Sequence, residues 1–240
     1  MALGFYLDRV ELFLTLALGS FFLGVFAIVL VTQKVVSREL DQAIQQGQME
    51  NHHNMLESLN VTGSGIYVPV RSPKGRIKDV RVFIPLKKKG RVKIPPLDDA
   101  EVFKTGINDT EIGISFVPPG KNLLEQFELD LGVLFVDVAP GELEQYLRSH
   151  ITTAGLVKDI NIKVEEDRAR VIITQGEHLQ LCETAHESYQ GLCTTVGCPI
   201  CSSILCALCL STGMRVLIES EKWGGRNNQV TYQLSFQEEE

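Results

Sequence analysis

Residues 191–218 read GLCTTVGCPICSSILCALCLSTGMRVLI and hold five of the six cysteines: Cys193, Cys198, Cys201, Cys206 and Cys209. Pro199 directly after Cys198, and Gly213 after Ser211 and Thr212, predict a helix with proline in its first turn and glycine past its end. At 100° per residue, with Cys198 at 0°, Cys201 falls at about −60°, Cys209 at about 20° and Cys206 at about 80°. The four thiols share one side, and Ile200, Ile204, Ala207 and Leu210 occupy the other. A helix apolar nearly all round is a buried one. On its own it is too short to cross a bilayer.

The spacing C-x2-C-x4-C-x2-C invites a zinc or iron–sulfur site, and its C-x4-C-x2-C part has the plant-type ferredoxin order. One straight helix cannot supply all four ligands. Cys198 and Cys209 lie roughly 16 Å apart along the axis, against Zn–S bonds of about 2.3 Å. Cys198 and Cys201 can supply half a site. His178 and Cys182, spaced i,i+4 on the preceding segment, could complete it, with His186 a turn further on and Cys193 in the connection. The competing expectation is structural: cysteine is among the most buried residue types and packs as a small hydrophobe. A third reading is redox, because Cys198-Pro199-Ile200-Cys201 opens a helix whose dipole favours a thiolate. A helix-like segment precedes it where a thioredoxin-type site needs a strand.

At the other end, Leu12 to Val31 reads LFLTLALGSFFLGVFAIVLV, twenty residues without a charge. That spans about 30 Å as a helix, the thickness of a bilayer core. No basic leader or convincing cleavage site accompanies it, so residues 1–32 are expected to form an uncleaved single-pass anchor in the cell membrane. Lys34 and Arg38 follow the span and Arg9 precedes it, a slight bias toward a cytoplasmic C-terminal part. Six cysteines with no disulfide-scaffold pattern favour the same reducing side.

Residues 33–62 are polar and glutamine-rich, with a sparse apolar stripe at Val36, Leu40, Ile44, Met55, Leu56 and Leu59. This predicts a juxtamembrane helix and linker that could pair two copies of the chain. His52-His53 reads as a solvated pair. Residues 63–138 form a basic β-rich region, with strands expected at Ile66–Val70, Ile77–Leu86, Arg91–Ile94, Glu101–Lys104 and Ile112–Val117.

The formal net charge of −7 hides a block between Arg71 and Lys93 with ten Lys or Arg and one acid, Asp79. Lys87, Lys88, Lys89, Arg91 and Lys93 cluster around a hairpin loop there. Beside a membrane such a loop could meet anionic lipid headgroups. It could equally protect a sheet edge. Nucleic acid is disfavoured, since only Tyr67 and Phe83 are interleaved as aromatics.

Tyr67-Val68-Pro69, Val80-Arg81-Val82-Phe83-Ile84-Pro85 and Gly113-Ile114-Ser115-Phe116-Val117-Pro118-Pro119-Gly120, with Leu123-Leu124 and Phe127-Glu128 beyond, resemble an archaeal, haloarchaeal-type family of membrane-associated proteins of unknown function. The likeness covers much of residues 60 to 236. It implies a fold relationship and an archaeal source, and it carries no catalytic or metal-binding residue across.

Residues 139–240 are expected as an α+β unit: a helix over Glu142–Ala154, strands at Lys158–Glu165 and Ala169–Thr174, the helix bearing Cys182, the cysteine-rich helix, and a hairpin of Met214–Lys222 and Gln229–Phe236. The whole chain is then of α+β class, with a transmembrane helix, a juxtamembrane helix, a β-rich region and an antiparallel sheet packed by helices. No Ser/His/Asp order, nucleotide fingerprint, HExxH or paired-carboxylate pattern is present. The leading expectation is a non-enzymatic membrane protein whose cytoplasmic domain meets a protein or lipid partner, with no cofactor. The alternative is a zinc, iron–sulfur or thiol-redox module built on His178, Cys182, Cys193, Cys198 and Cys201.

Overall fold

The computed structural model describes residues 2–32, 38–61, 63–86, 103–104, 112–175, 180–189, 191–224 and 229–237. It divides into two compact units, Met1–Ala43 and Ile44–Glu240.

The first unit contains helix α1 (Ala2–Thr32) and the start of α2 (Arg38–Ser58). Residues Leu12–Ala27 of α1 form an apolar stretch whose large side chains, among them Phe13, Phe21, Leu23 and Phe26, are exposed. Helix α2 runs unbroken through Gly47. Within the second unit its Met49 and Leu56 are buried in the core. The two histidines expected to be solvated are packed instead: His52 stacks on Phe116 with ring centroids 5.6 Å apart, and His53 tilts against Tyr189 at 5.5 Å.

One antiparallel sheet organises the second unit. Its strands are β1 (Ile66–Arg71), β2 (Ile77–Pro85), β3 (Phe103–Lys104), β4 (Gly113–Phe116), β5 (Val157–Val164), β6 (Arg168–Gln175), β7 (Arg215–Gly224) and β8 (Gln229–Gln237). They lie in the order β3-β4-β2-β1-β7-β8-β6-β5. The β-rich region and the C-terminal strands meet where Ile66 and Tyr67 pair with Leu217 and Val216, so one sheet runs through both. The expected strands at Ile66–Val70, Ile77–Leu86 and Ile112–Val117 all form, within a residue or two at each end. The strand expected at Arg91–Ile94 lies outside the described residues, as do Lys87, Lys88, Lys89, Arg91 and Lys93.

Period-two alternation gives the sheet its core face. Tyr67, Val80, Val82 and Ile84 in the first half, and Val171, Ile173, Val216, Val230, Tyr232 and Leu234 in the second, all join the main cluster. Ile66, Val68 and Phe83 point the other way into a smaller cluster with Leu217. Helices cover the main face: α3 (Lys121–Leu131), α4 (Leu143–Thr153), α5 (Gln180–Ser188), α6 (Leu192–Thr195) and α7 (Pro199–Thr212). In α4 the apolar stripe is Leu143, Leu147 and Ile151, at successive i,i+4 positions, and all three are buried.

Helix α7 is the hub, lying on β1, β2 and β7 and touching α3 and α4. It starts with Pro199 in its first turn and ends at Gly213, whose φ of 66° takes the left-handed conformation expected of a glycine stop. At Gly120, before α3, a Cβ would overlap the backbone of Pro199 and Ser203, so only glycine lets α3 start against the first turn of α7. Counted together with α6, Leu192–Thr212 is long and apolar enough to cross a membrane by length and composition, a length that α7 alone does not reach. It is 89% buried inside the protein, as befits the core helix of a folded layer.

Candidate metal centre

The first turn of α7 starts at an extended residue, Cys198, with φ −72° and ψ 167°. That conformation turns the Cys198 side chain back over the helix start, and Cys201 follows one turn later. Helix α5 faces this point with Cys182 and Ala185, both buried. The Cys182 sulfur lies 3.0 Å from that of Cys198 and 3.9 Å from that of Cys201. All three sulfurs fall within 4.8 Å of one another, and all three residues are buried.

Cys193 on α6 is the neighbour. Its thiol is buried too, and the backbone N–H of Cys198 points to it. His178, the remaining ligand expected from sequence, lies outside the described residues. Cys206 and Cys209 are buried further along α7 and stand apart from the triad. The turn rise explains that, since eight or more residues carry them roughly 12 Å or more down the axis.

A fixed shell positions the triad. Tyr67 on β1 donates its hydroxyl hydrogen to the carbonyl of Val196 and shares a 2.9 Å hydrogen bond with Ser202. This ties both the approach to α7 and its first turn to the sheet. Tyr232 on β8 donates to the Cys193 carbonyl at 3.5 Å.

Electrostatically the three thiols are unequal. Hydrogen bonds from Cys182, then from Cys201, hold the Cys198 thiol well below its ordinary range, and the N–H groups of Cys201 and Ile200 at the helix start act the same way. Cys182 is pushed well above it, first by its hydrogen bond to Cys198, next by that to Cys201 and then by burial. Burial raises Cys193 and Cys206 as well. Of the three sulfurs, Cys198 at the helix start is the one whose charged form is favoured.

This donor set could hold a metal. Thiolate is a soft ligand suited to zinc and its heavier relatives. In a tetrahedral site with Zn–S bonds of about 2.3 Å, neighbouring sulfurs sit about 3.8 Å apart. The Cys182–Cys201 separation already has that value, and Cys198 has only to draw back slightly.

A second group of polar residues adjoins the thiols and was not legible from sequence. Glu221 on β7 would point to solvent if β7 alternated strictly after Val216 and Ile218. Between Ile218 and Ser220 the register shifts, so Glu221 pairs with Tyr232 and Trp223 with Val230, on the core side. Burial raises the Glu221 carboxyl above its usual range, with His186 acting in the opposite direction. The His186 imidazole is stacked on Trp223, centroids 5.6 Å apart.

Neither the curated proteins nor the solved structures yield a match to this chain. A family model described as a domain of unknown function (DUF7982) matches residues 2–233, nearly the full length, and the chain belongs to that family.

Proposed function

We propose that this protein is a membrane-tethered metal-binding protein, whose globular part holds one thiophilic divalent ion, zinc foremost, on Cys182, Cys198 and Cys201. The observation that carries it is the convergence of three buried sulfurs from two separate helices. Core packing alone needs no such convergence: Cys206 is just as buried and does not belong to the cluster. Cys193, whose sulfur receives the backbone N–H of Cys198, would be the fourth ligand. Three sulfurs this close suit a single ion, because thiolates on different irons of a cluster must stand further apart.

The site is closed and its role is to hold fold, not to turn over substrate. A structural zinc has four protein ligands and no open position. A metal here would cross-link α5, α6 and α7. The tether is the apolar α1, whose exposed Phe and Leu side chains along Leu12–Ala27 call for a lipid environment. The resemblance of residues 60 to 236 to an archaeal membrane-associated family points the same way. With the bulk of the chain in the cytoplasm, the metal-braced domain would present its surface to a protein or headgroup partner at the membrane.

The direct experiment is metal analysis of the full chain purified in detergent without oxygen, alongside Cys182→Ser and Cys198→Ser. Zinc in equal amount with the wild-type chain, and loss of it in both variants, is expected. A wild-type chain that takes up no zinc, even when refolded with it, rejects the reading.

A further inference from the structure

A cavity of about 380 Å³ opens beside the thiols, lined by Ala185, His186, Tyr189, Cys193, Thr194 and Glu221 among others. Its rim is accessible, with the His186 side chain 39% exposed, and its floor is not. At the floor the Glu221 side chain is only 5% exposed. One of its carboxylate oxygens is buried with no hydrogen-bond partner among the described residues. His186 Nδ1 lies 3.8 Å from it, too far for a hydrogen bond.

A buried carboxylate oxygen without a partner is costly and calls for a proton or a cation. Here the acceptor, an imidazole nitrogen and the Cys193 sulfur line one cavity. Those are oxygen, nitrogen and sulfur donors, a set that a borderline divalent cation accepts and that sodium or magnesium would not favour. Cys193 belongs to both places: it lines the cavity, and it receives the N–H of Cys198 at the edge of the triad.

Resting on the metal-binding reading above, we infer that this cavity is the entrance subsite of the thiol centre, where Glu221 and His186 first take a divalent zinc-like cation from solvent and Cys193, which stays on it as the fourth ligand, draws it to Cys182, Cys198 and Cys201. No oxidation state changes in the transfer. The cation exchanges carboxylate and imidazole ligands for thiolates, and each thiol that binds it releases a proton to solvent. A single carboxylate at the floor both attracts the ion and makes a weak enough complex for it to move on.

The test uses the full chain in detergent, reduced and stripped of metal, with cadmium ion as the probe and the thiolate-to-cadmium ultraviolet absorption as the readout. The Glu221→Gln variant keeps the shape of the side chain and removes its charge. It is expected to load roughly tenfold more slowly or worse, the size of effect a focused charge has on ion capture, while reaching the wild-type stoichiometry. His186→Gln, at the accessible rim, tolerates substitution without disturbing the core and is expected to slow loading in the same direction.

Wild-type loading rates in both variants overturn the entrance. So does a reduced final stoichiometry in Glu221→Gln, since that makes the carboxylate a ligand of the final site. A wild-type chain that gives no cadmium–thiolate absorption overturns the metal reading itself, a failure distinct from the other two.

Discussion

The sulfurs of Cys182 and Cys198 lie 3.0 Å apart although sixteen residues separate them in the chain. The contact joins the first turn of α5 to the residue before α7. It is made by how the helices settle on the sheet. That makes the thiols a reporter of the fold as well as its candidate brace.

Cysteines of the triad and cysteines of the core should respond differently to substitution. Cys206→Ala removes a buried sulfur remote from the triad and is expected to cost about 1 kcal/mol of packing with metal content unchanged. Cys201→Ala should lose the metal and with it a larger share of stability. Chemical denaturation with and without a strong chelator separates the two, because chelation should erase most of the difference between wild type and Cys201→Ala and leave the Cys206→Ala deficit intact.

Tyr67→Phe keeps the ring in the core and removes the hydroxyl that serves Val196 and Ser202. Leaving a buried carbonyl without its donor is expected to cost about 1–3 kcal/mol. Amide exchange should quicken in residues 196–202 more than in β8. Uniform protection across both segments would show that Tyr67 does not hold the start of α7.

The backbone approach at Gly120 admits no side chain. Gly120→Ala pushes α3 off the first turn of α7 and is expected to destabilise by about 1–3 kcal/mol or more. A denaturation midpoint equal to that of wild type would contradict the close approach.

Glu128 on α3 accepts the backbone N–H of Phe135 at 2.8 Å, and burial, before anything else, raises its carboxyl above the usual range. A group whose folded value exceeds its unfolded one contributes stability below the unfolded value and loses it as pH rises through the folded value. Glu128→Gln is neutral throughout. Its melting temperature relative to wild type is therefore expected to fall as pH drops from neutral into the carboxylate range. A gap that stays constant with pH would refute the assignment.

Much of this fold was legible because its strands obey the alternation rule and its central helix is bounded by Pro199 and Gly213. The pairing of Cys182 with Cys198 and Cys201 was readable as a spacing: one thiol on a preceding helix, two on the first turn of the next. Glu221 was not readable. Its inward direction depends on one extra residue at Glu219, and a shift of that kind leaves no mark in composition or periodicity. Nor could the sequence show that β1 would pair with β7, since a long-range pairing between two otherwise ordinary strands has no local signature. His52 and His53 were misjudged for the same reason, their aromatic partners Phe116 and Tyr189 being remote in the chain.

The decisive property of this protein is whether the three sulfurs share an ion. Elemental analysis of the full chain prepared without oxygen, combined with a count of thiols reactive in the folded state, measures this most directly. One zinc per chain is predicted, with Cys182, Cys198 and Cys201 protected until a chelator removes it and reactive afterwards without unfolding. A metal-free chain whose thiols stay unreactive, with or without chelator, until it is denatured would contradict the account and leave the triad as core packing.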